Sequence, residues 1–176
     1  MRKITLAALA LASSAALVGV TAVPAFAATD GTPVTVTVAA GDLSISVPAS
    51  KALTAALPGD TSTTVLDNTV VTDARAGEVG WAATVTLPVL TGTVTSGSAT
   101  ISTITATYAA ATATPTGTAT VTAATTITDL TTAKNSQTAT LVDGNNTATW
   151  AATLTVEMPD QVLADTYSGT MTQSVV

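Results

Sequence analysis

The sequence predicts an all-β protein, a single β-sandwich of Ig-like or Greek-key type with about eight strands, and three observations carry that prediction. Threonine makes up roughly a quarter of the residues after the N-terminal segment, and it alternates with Val, Ala, Ile or Leu. Strict period-two alternation marks strands with one buried and one wet face. Thr suits the wet face, since its branched carbons fit the pleat while its hydroxyl meets water. Turn residues punctuate these runs at short intervals, as in a sandwich or Greek-key barrel. Helical spacing is confined to Ala49–Leu57, which is expected to form one short turn.

The N-terminus reads as an export signal. Arg2 and Lys3 precede an apolar run from Ile4 to Val20, and Pro24 precedes the small-x-small site Ala25-Phe26-Ala27. Residues 1–27 are therefore expected to be a cleaved signal peptide and 28–176 the mature domain, extracellular and either secreted or held at the cell surface. The run is at the short end for a membrane span, and no stop-transfer charges follow it. No later apolar segment and no LPxTG-type signal is visible, so no membrane insertion is expected after cleavage. With no cysteine, a lipid anchor and disulfides are excluded. A mature chain of this length can bury a core without staples.

Along the mature chain, Val34, Val36 and Val38 alternate with Thr35 and Thr37, and Ala40-Gly41-Asp42 is expected to turn the chain. Leu43, Ile45 and Val47 then alternate with serines until Pro48. Further strands are expected at Thr63–Thr72, Gly80–Leu87, Ala99–Tyr108, Gly117–Ile127, Thr138–Val142, Thr147–Met158 and Thr166–Val175. Asp143-Gly144-Asn145-Asn146 has the residues of a tight hairpin, which tolerate positive φ. The low-complexity stretch Thr95–Thr132 reads as strands and loops with outward threonines, or as a mucin-like O-glycosylated stalk. Ile101, Ile104, Tyr108, Val121 and Ile127 favour strands.

The chain has two tryptophans in nearly the same phrase, WAATVTLP from Trp81 and WAATLTVEMP from Trp150. Alternation puts Trp81, Ala83, Val85 and Leu87 on one face. It likewise puts Ala148, Trp150, Ala152, Leu154, Val156 and Met158 together. Each indole opens an apolar stripe with a small alanine behind it. That pattern favours two core tryptophans, because a core poor in aromatics needs them; glycan platforms exposed at strand ends are the rival. Asp73 and Arg75 stand two residues apart shortly before Trp81. They read as an ion pair closing a strand end, or with Arg75 gripping a carboxylate or phosphate of a wall polymer.

Several chemistries are excluded. Without histidine or cysteine, the chain lacks His-based and thiolate nucleophilic machinery and the commonest zinc ligands. The acids sit mostly in turn contexts, and Asp143–Asn146 lacks the spacing of a calcium loop; no catalytic residue, cofactor or obligatory metal is expected. Loss of Arg2 and Lys3 leaves three cations against eleven acids, a net charge of −8. That charge argues against nucleic acid and anionic lipid as partners.

Taken as a set, Gly41–Ile45, Val71–Arg75, Gly80-Trp81, Trp150–Pro159 and Thr166–Val175 resemble the WxL-domain surface proteins of Gram-positive bacteria. The short, signal-peptide-plus-single-domain actinobacterial form is the nearer likeness, and it covers most of the mature chain. The third position is Ala83 in one phrase and Ala152 in the other, and Asp165 stands where glycine is usual before Tyr167. The resemblance implies a non-enzymatic protein associating non-covalently with a cell-wall polymer or with other surface proteins, with Trp81, Trp150, Arg75 and Asp73 as binding candidates. A fimbria-like subunit assembling by strand addition is the alternative, with Thr166–Val175 as the donor considered.

Overall fold

The computed structural model describes residues 29–93 and 99–176; the expected signal peptide lies outside the described residues, as do residues 94–98 of the low-complexity stretch. Contacts group the chain into two units, Met1–Val36 and Thr37–Val176. Of the first, the described residues 29–36 form no strand and are exposed.

The second unit is all-β. Its strands are β1 (Leu43–Ser46), β2 (Thr61–Asp73), β3 (Trp81–Thr86), β4 (Val89–Gly92), β5 (Thr100–Ser102) and β6 (Thr107–Ala110). They continue as β7 (Thr114–Ala123), β8 (Ile127–Thr128), β9 (Lys134–Glu157), β10 (Tyr167–Ser168) and β11 (Thr172–Val175). Eight form one sheet and three, in the order β10-β4-β5, form the other. The 24-residue β9 is the spine. On one edge it bonds β2 and β3; on the other it bonds β7 and β6. The path β1-β2-β9-β3-β11 curls until its two ends approach within 8 Å, so the large sheet makes most of a barrel.

Alternation decides what goes inside. Trp81, Ala83 and Val85 of β3 are buried, and so are Ala148, Trp150, Ala152, Leu154 and Val156 of β9; the threonines between them face outward or lie half-buried. Tyr108, Ile101, Leu130 and Val71 complete the interior.

Among the described residues there are eleven strands rather than about eight, because some runs break to change sheets. Thr166–Val175 divides at Gly169: β10 pairs with β4 and β11 with β3. A side chain at Gly169 would collide with the Val89 carbonyl, so only glycine lets the two backbones cross there. Ala99–Tyr108 divides likewise at Thr103, whose hydroxyl donates to the carbonyls of Leu87 and Pro88 while Ala106 N–H closes a turn onto the Thr103 carbonyl. The strand β4, absent from the sequence reading, lies just after Pro88.

Three local expectations fail. Asp143–Asn146 is not a hairpin: between Thr116↔Thr147 and Thr120↔Thr140, β7 advances four residues while β9 advances seven. The surplus is absorbed as bulges, with Leu141 at φ 51° and Gly144 at φ 72°. Positive φ serves there to lengthen one strand, not to reverse the chain. Ala49–Leu57 forms no helical turn; Thr54 instead bonds Thr63 through backbone and side chain. Val34–Val38 forms no strand, because Gly41 and Asp42 do not turn. They bond Ala74 and extend the β1–β2 ladder straight on (Gly41 N to Ala74 O, 2.8 Å; Ala74 N to Asp42 O, 2.9 Å). The described part of Thr95–Thr132 is strands and connections rather than a stalk, with Ile101, Tyr108 and Ile127 buried.

Candidate functional site

The four residues singled out by sequence fall into two buried networks. In the first, β2 ends at Asp73, which is 2% exposed. Arg75 curls back onto it, donating from Nε to Oδ1 at 2.9 Å and from Nη2 to Oδ2 at 3.0 Å. Nη2 also donates to the carbonyls of Val79 and Gly80, at 2.9 and 3.2 Å. The β9 bulge then brings in a residue that sequence reading placed in a turn. Asn146 Nδ2 donates to Asp73 Oδ2 at 3.3 Å, and its Oδ1 accepts the Trp81 indole N–H at 3.1 Å. Bulge and loop are tied together, since Asn145 Oδ1 accepts from Ala76 N–H and Gly144 N–H donates to Gly77. The Arg75 guanidinium holds the Asp73 carboxyl below its ordinary value, helped by the Arg75 backbone N–H and by Asn146, against a desolvation cost that acts the other way.

In the second network, Trp150 Nε1 donates to Tyr108 Oη at 3.2 Å, and Tyr108 Oη donates to Gln173 Oε1 at 3.3 Å. Burial pushes the Tyr108 phenol up from its ordinary value. Every indole N–H thus has a partner inside the protein, as buried tryptophans require.

This geometry corrects the binding assignment at the tryptophans. Trp81 is 2% and Trp150 3% exposed, so neither offers a ring face to a glycan. Trp81, Asp73 and Arg75 do come together, as their spacing implied, while Trp150 belongs to the other network. Asn146, Tyr108 and Gln173 were missed; the only sequence signal was that Asn146 and Tyr108 fall in phase with apolar neighbours. Arg75 is occupied by Asp73 and two carbonyls rather than aimed at solvent. The other cations among the described residues are also paired, Lys51 with Asp67 at 3.1 Å and Lys134 with Asp129 at 4.0 Å.

A feature that no motif announced lies elsewhere. Beneath the irregular segment Lys51–Pro58, a groove of about 590 Å³ opens between that segment and residues 162–169. Leu53, Ala56, Leu90, Ile101, Met158 and Tyr167 line it, with the hydroxyl residues Thr54, Thr166 and Ser168 alongside. Leu90 and Ile101 are its buried floor. A smaller cavity of about 250 Å³ shares Lys51, Leu53, Leu90 and Gly169 with it and is lined by Leu66, Leu87 and Leu154. The roof is pinned by Thr54 N–H to Thr63 O at 3.0 Å and Gly59 N–H to Met158 O at 3.1 Å. A cleft of this size, mostly apolar with a few polar groups, has the build of a small-ligand or side-chain site.

Among the described residues, no three His, Cys, Asp or Glu side chains gather as a metal site. The melting temperature should therefore stay unchanged in chelator and in reductant, the chain having no cysteine. A fall of several degrees in chelator, read by circular dichroism, would reveal a metal site, with the Asp143–Asn146 bulge the first place to look.

Searches of protein-family models, curated proteins and solved structures give no match to this chain. Fold and site define an all-β unit, Thr37–Val176, with two tryptophan networks in its interior and an apolar groove.

Proposed function

We propose that this is an exported, non-enzymatic surface protein that associates non-covalently with the cell wall or with other surface proteins, and that the groove under Lys51–Pro58 makes the contact. The groove is the observation that carries this reading. It is open and mostly apolar, flanked by hydroxyls and by Lys51 and Asp165, whereas Trp81, Trp150 and Asp73 are buried and Arg75 is bonded to Asp73. Among the described residues no three acidic side chains gather. Lys51, itself on the groove rim, pairs with Asp67 at 3.1 Å, and Arg75 and Lys134 are paired away from it, so recognition rests mainly on shape, apolar contact and hydroxyls.

The test is co-sedimentation with purified sacculi. Ala56→Trp, which fills the groove from its half-buried wall, should abolish most binding while the circular dichroism spectrum stays β-rich. Unchanged binding in that variant overturns the groove assignment. Failure of the wild type to bind at any salt overturns wall association. Wall polymers that are anionic would repel the chain, whose net charge is −8 once Arg2 and Lys3 are cleaved away, so moderate salt should strengthen binding by screening over roughly 8–10 Å.

A further inference from the structure

The described residues contain both halves of a strand-addition contact, and neither half is used within the chain. The first half is Val34-Thr35-Val36-Thr37-Val38. Val34, Val36 and Val38 are 90%, 89% and 78% exposed, and no residue of the segment lies in a ladder. Five residues of strict Val/Thr alternation have high strand propensity and one wholly apolar face. Left in water, that face is a standing cost.

The second half is the outer edge of β7. This ten-residue strand pairs with β9 on one edge and, among the described residues, with nothing on the other. Its inward-pointing residues Ala119, Val121 and Ala123 are only half covered, although Ala119 and Val121 pack against the core. Its outward residues Thr118, Thr120 and Thr122 are exposed. An unguarded edge strand is a template for another strand. Here Pro115, which lacks an N–H, and the register shifts on either side of Thr118 interrupt the N-terminal half of the edge, leaving Thr120–Ala123 as the part in regular register.

We propose that Val34–Val38 of one copy adds as a strand to the Thr118–Ala123 edge of β7 in a second copy. Three matches support the pairing. The lengths agree, since the five residues Val34–Val38 and the five residues Ala119–Ala123 each span about 17 Å when extended. The patterns agree: a Val-Thr-Val-Thr-Val strand laid beside Ala-Thr-Val-Thr-Ala continues the apolar stripe with valines and the outer face with threonines. The charges agree, because residues 31–41 contain no ionisable group and the stretch 79–128 contains no Asp, Glu, Lys or Arg. Elsewhere eleven acids oppose contact between copies, so this uncharged pair is where two copies meet at least electrostatic cost. Donor and acceptor are different surfaces, so the contact is head-to-tail and repeats into a ring or an open chain. C-terminal donation is closed off, because β10 and β11 are already paired within their own domain. This assembly does not depend on the groove or on wall binding.

The test uses the exported protein and two variants. Val36→Asp removes the donor at a position so exposed that the melting temperature should not move; Val121→Lys places a charge on the inward side of the acceptor edge. Native mass spectrometry and sedimentation velocity of the wild type should show a concentration-dependent series of whole-chain multiples. Each variant alone should be monomeric at the same concentrations. Mixed, they should form a one-to-one dimer and nothing longer, since one retains only its acceptor and the other only its donor. If Val36→Asp assembles as the wild type does, or if the wild type stays monomeric throughout, the proposal is wrong. Protection of residues 34–38 from hydrogen exchange in a concentration-independent monomer would also overturn it, since the segment would then pair within its own chain.

Discussion

Trp150→Ala is expected to cost about 3–5 kcal/mol of stability, the range for truncating a large aromatic in a close-packed core. For a domain of this size that lowers the melting temperature by on the order of 10 °C. The indole is 3% exposed and stands at the head of the Ala152–Leu154–Val156 stripe, so its removal empties a volume that its neighbours cannot refill. Part of the cost is polar. Without the indole N–H, Tyr108 Oη keeps only Gln173 as its side-chain partner. Trp150→Phe should therefore lose less, roughly 1–2 kcal/mol, because it keeps most of the volume and forfeits mainly the hydrogen bond. Denaturant melts of the two variants check the ordering. The folded wild type should emit at short wavelength and resist acrylamide, because both indoles are buried. Emission near that of free indole would contradict the buried assignment.

The second large effect is at Asp73. Its carboxyl is held below the ordinary value of 3.8, first by the Arg75 guanidinium and then by the Arg75 N–H and Asn146. A folded-state value below the unfolded one stabilises the protein at every pH above the unfolded value. That contribution fades as the pH falls below about 3.8 and through the folded value. Asp129, lowered chiefly by the Thr131 hydroxyl, acts in the same direction from the surface. At the other end, the Tyr108 value is raised by burial, so its contribution is lost as the pH climbs above 10. With no histidine, the chain has no side chain that ordinarily titrates near neutrality. Thermal melts across pH should give a plateau from roughly pH 5 to pH 9, with a steep acid limb. Asp73→Asn should make that limb shallower and cost about 1.5–3 kcal/mol on the plateau, since charge-assisted hydrogen bonds to Arg75 become neutral ones. An acid limb unchanged by Asp73→Asn would mean that other carboxylates carry it.

Of the fold, what could be read from the sequence was what depends on the immediate neighbours of each residue. Period-two alternation placed Trp81 and Trp150 inward, together with the aliphatic residues behind them, because a strand has only two faces. The two-residue step from Asp73 to Arg75 made their pairing readable for the same local reason. Sheet changes were not readable. Nothing local distinguishes Gly169 as a crossing point, since the Val89 carbonyl that demands glycine lies 80 residues away. The β9 bulges failed the reading differently: Asp-Gly-Asn-Asn is equally suited to a hairpin and to extra residues in one strand. Only the partner β7, which pairs on both sides of it, decides between them.

The groove was unreadable for a related reason. Its lining comes from Lys51–Pro58, Leu90, Ile101, Met158 and Val162–Gly169, segments joined by no periodicity, and its roof looked like a helical turn. By itself, then, the sequence determined the all-β class, the inward stripes and the chemistry that lacks histidine and cysteine, because composition and alternation act residue by residue. The tertiary structure alone decided that Asn146 and Tyr108 receive the indole N–H groups, that a groove opens beneath Lys51–Pro58, and that Val34–Val38 stays unpaired. Each of these depends on which strand lies beside which, and long-range pairing, not local preference, sets that.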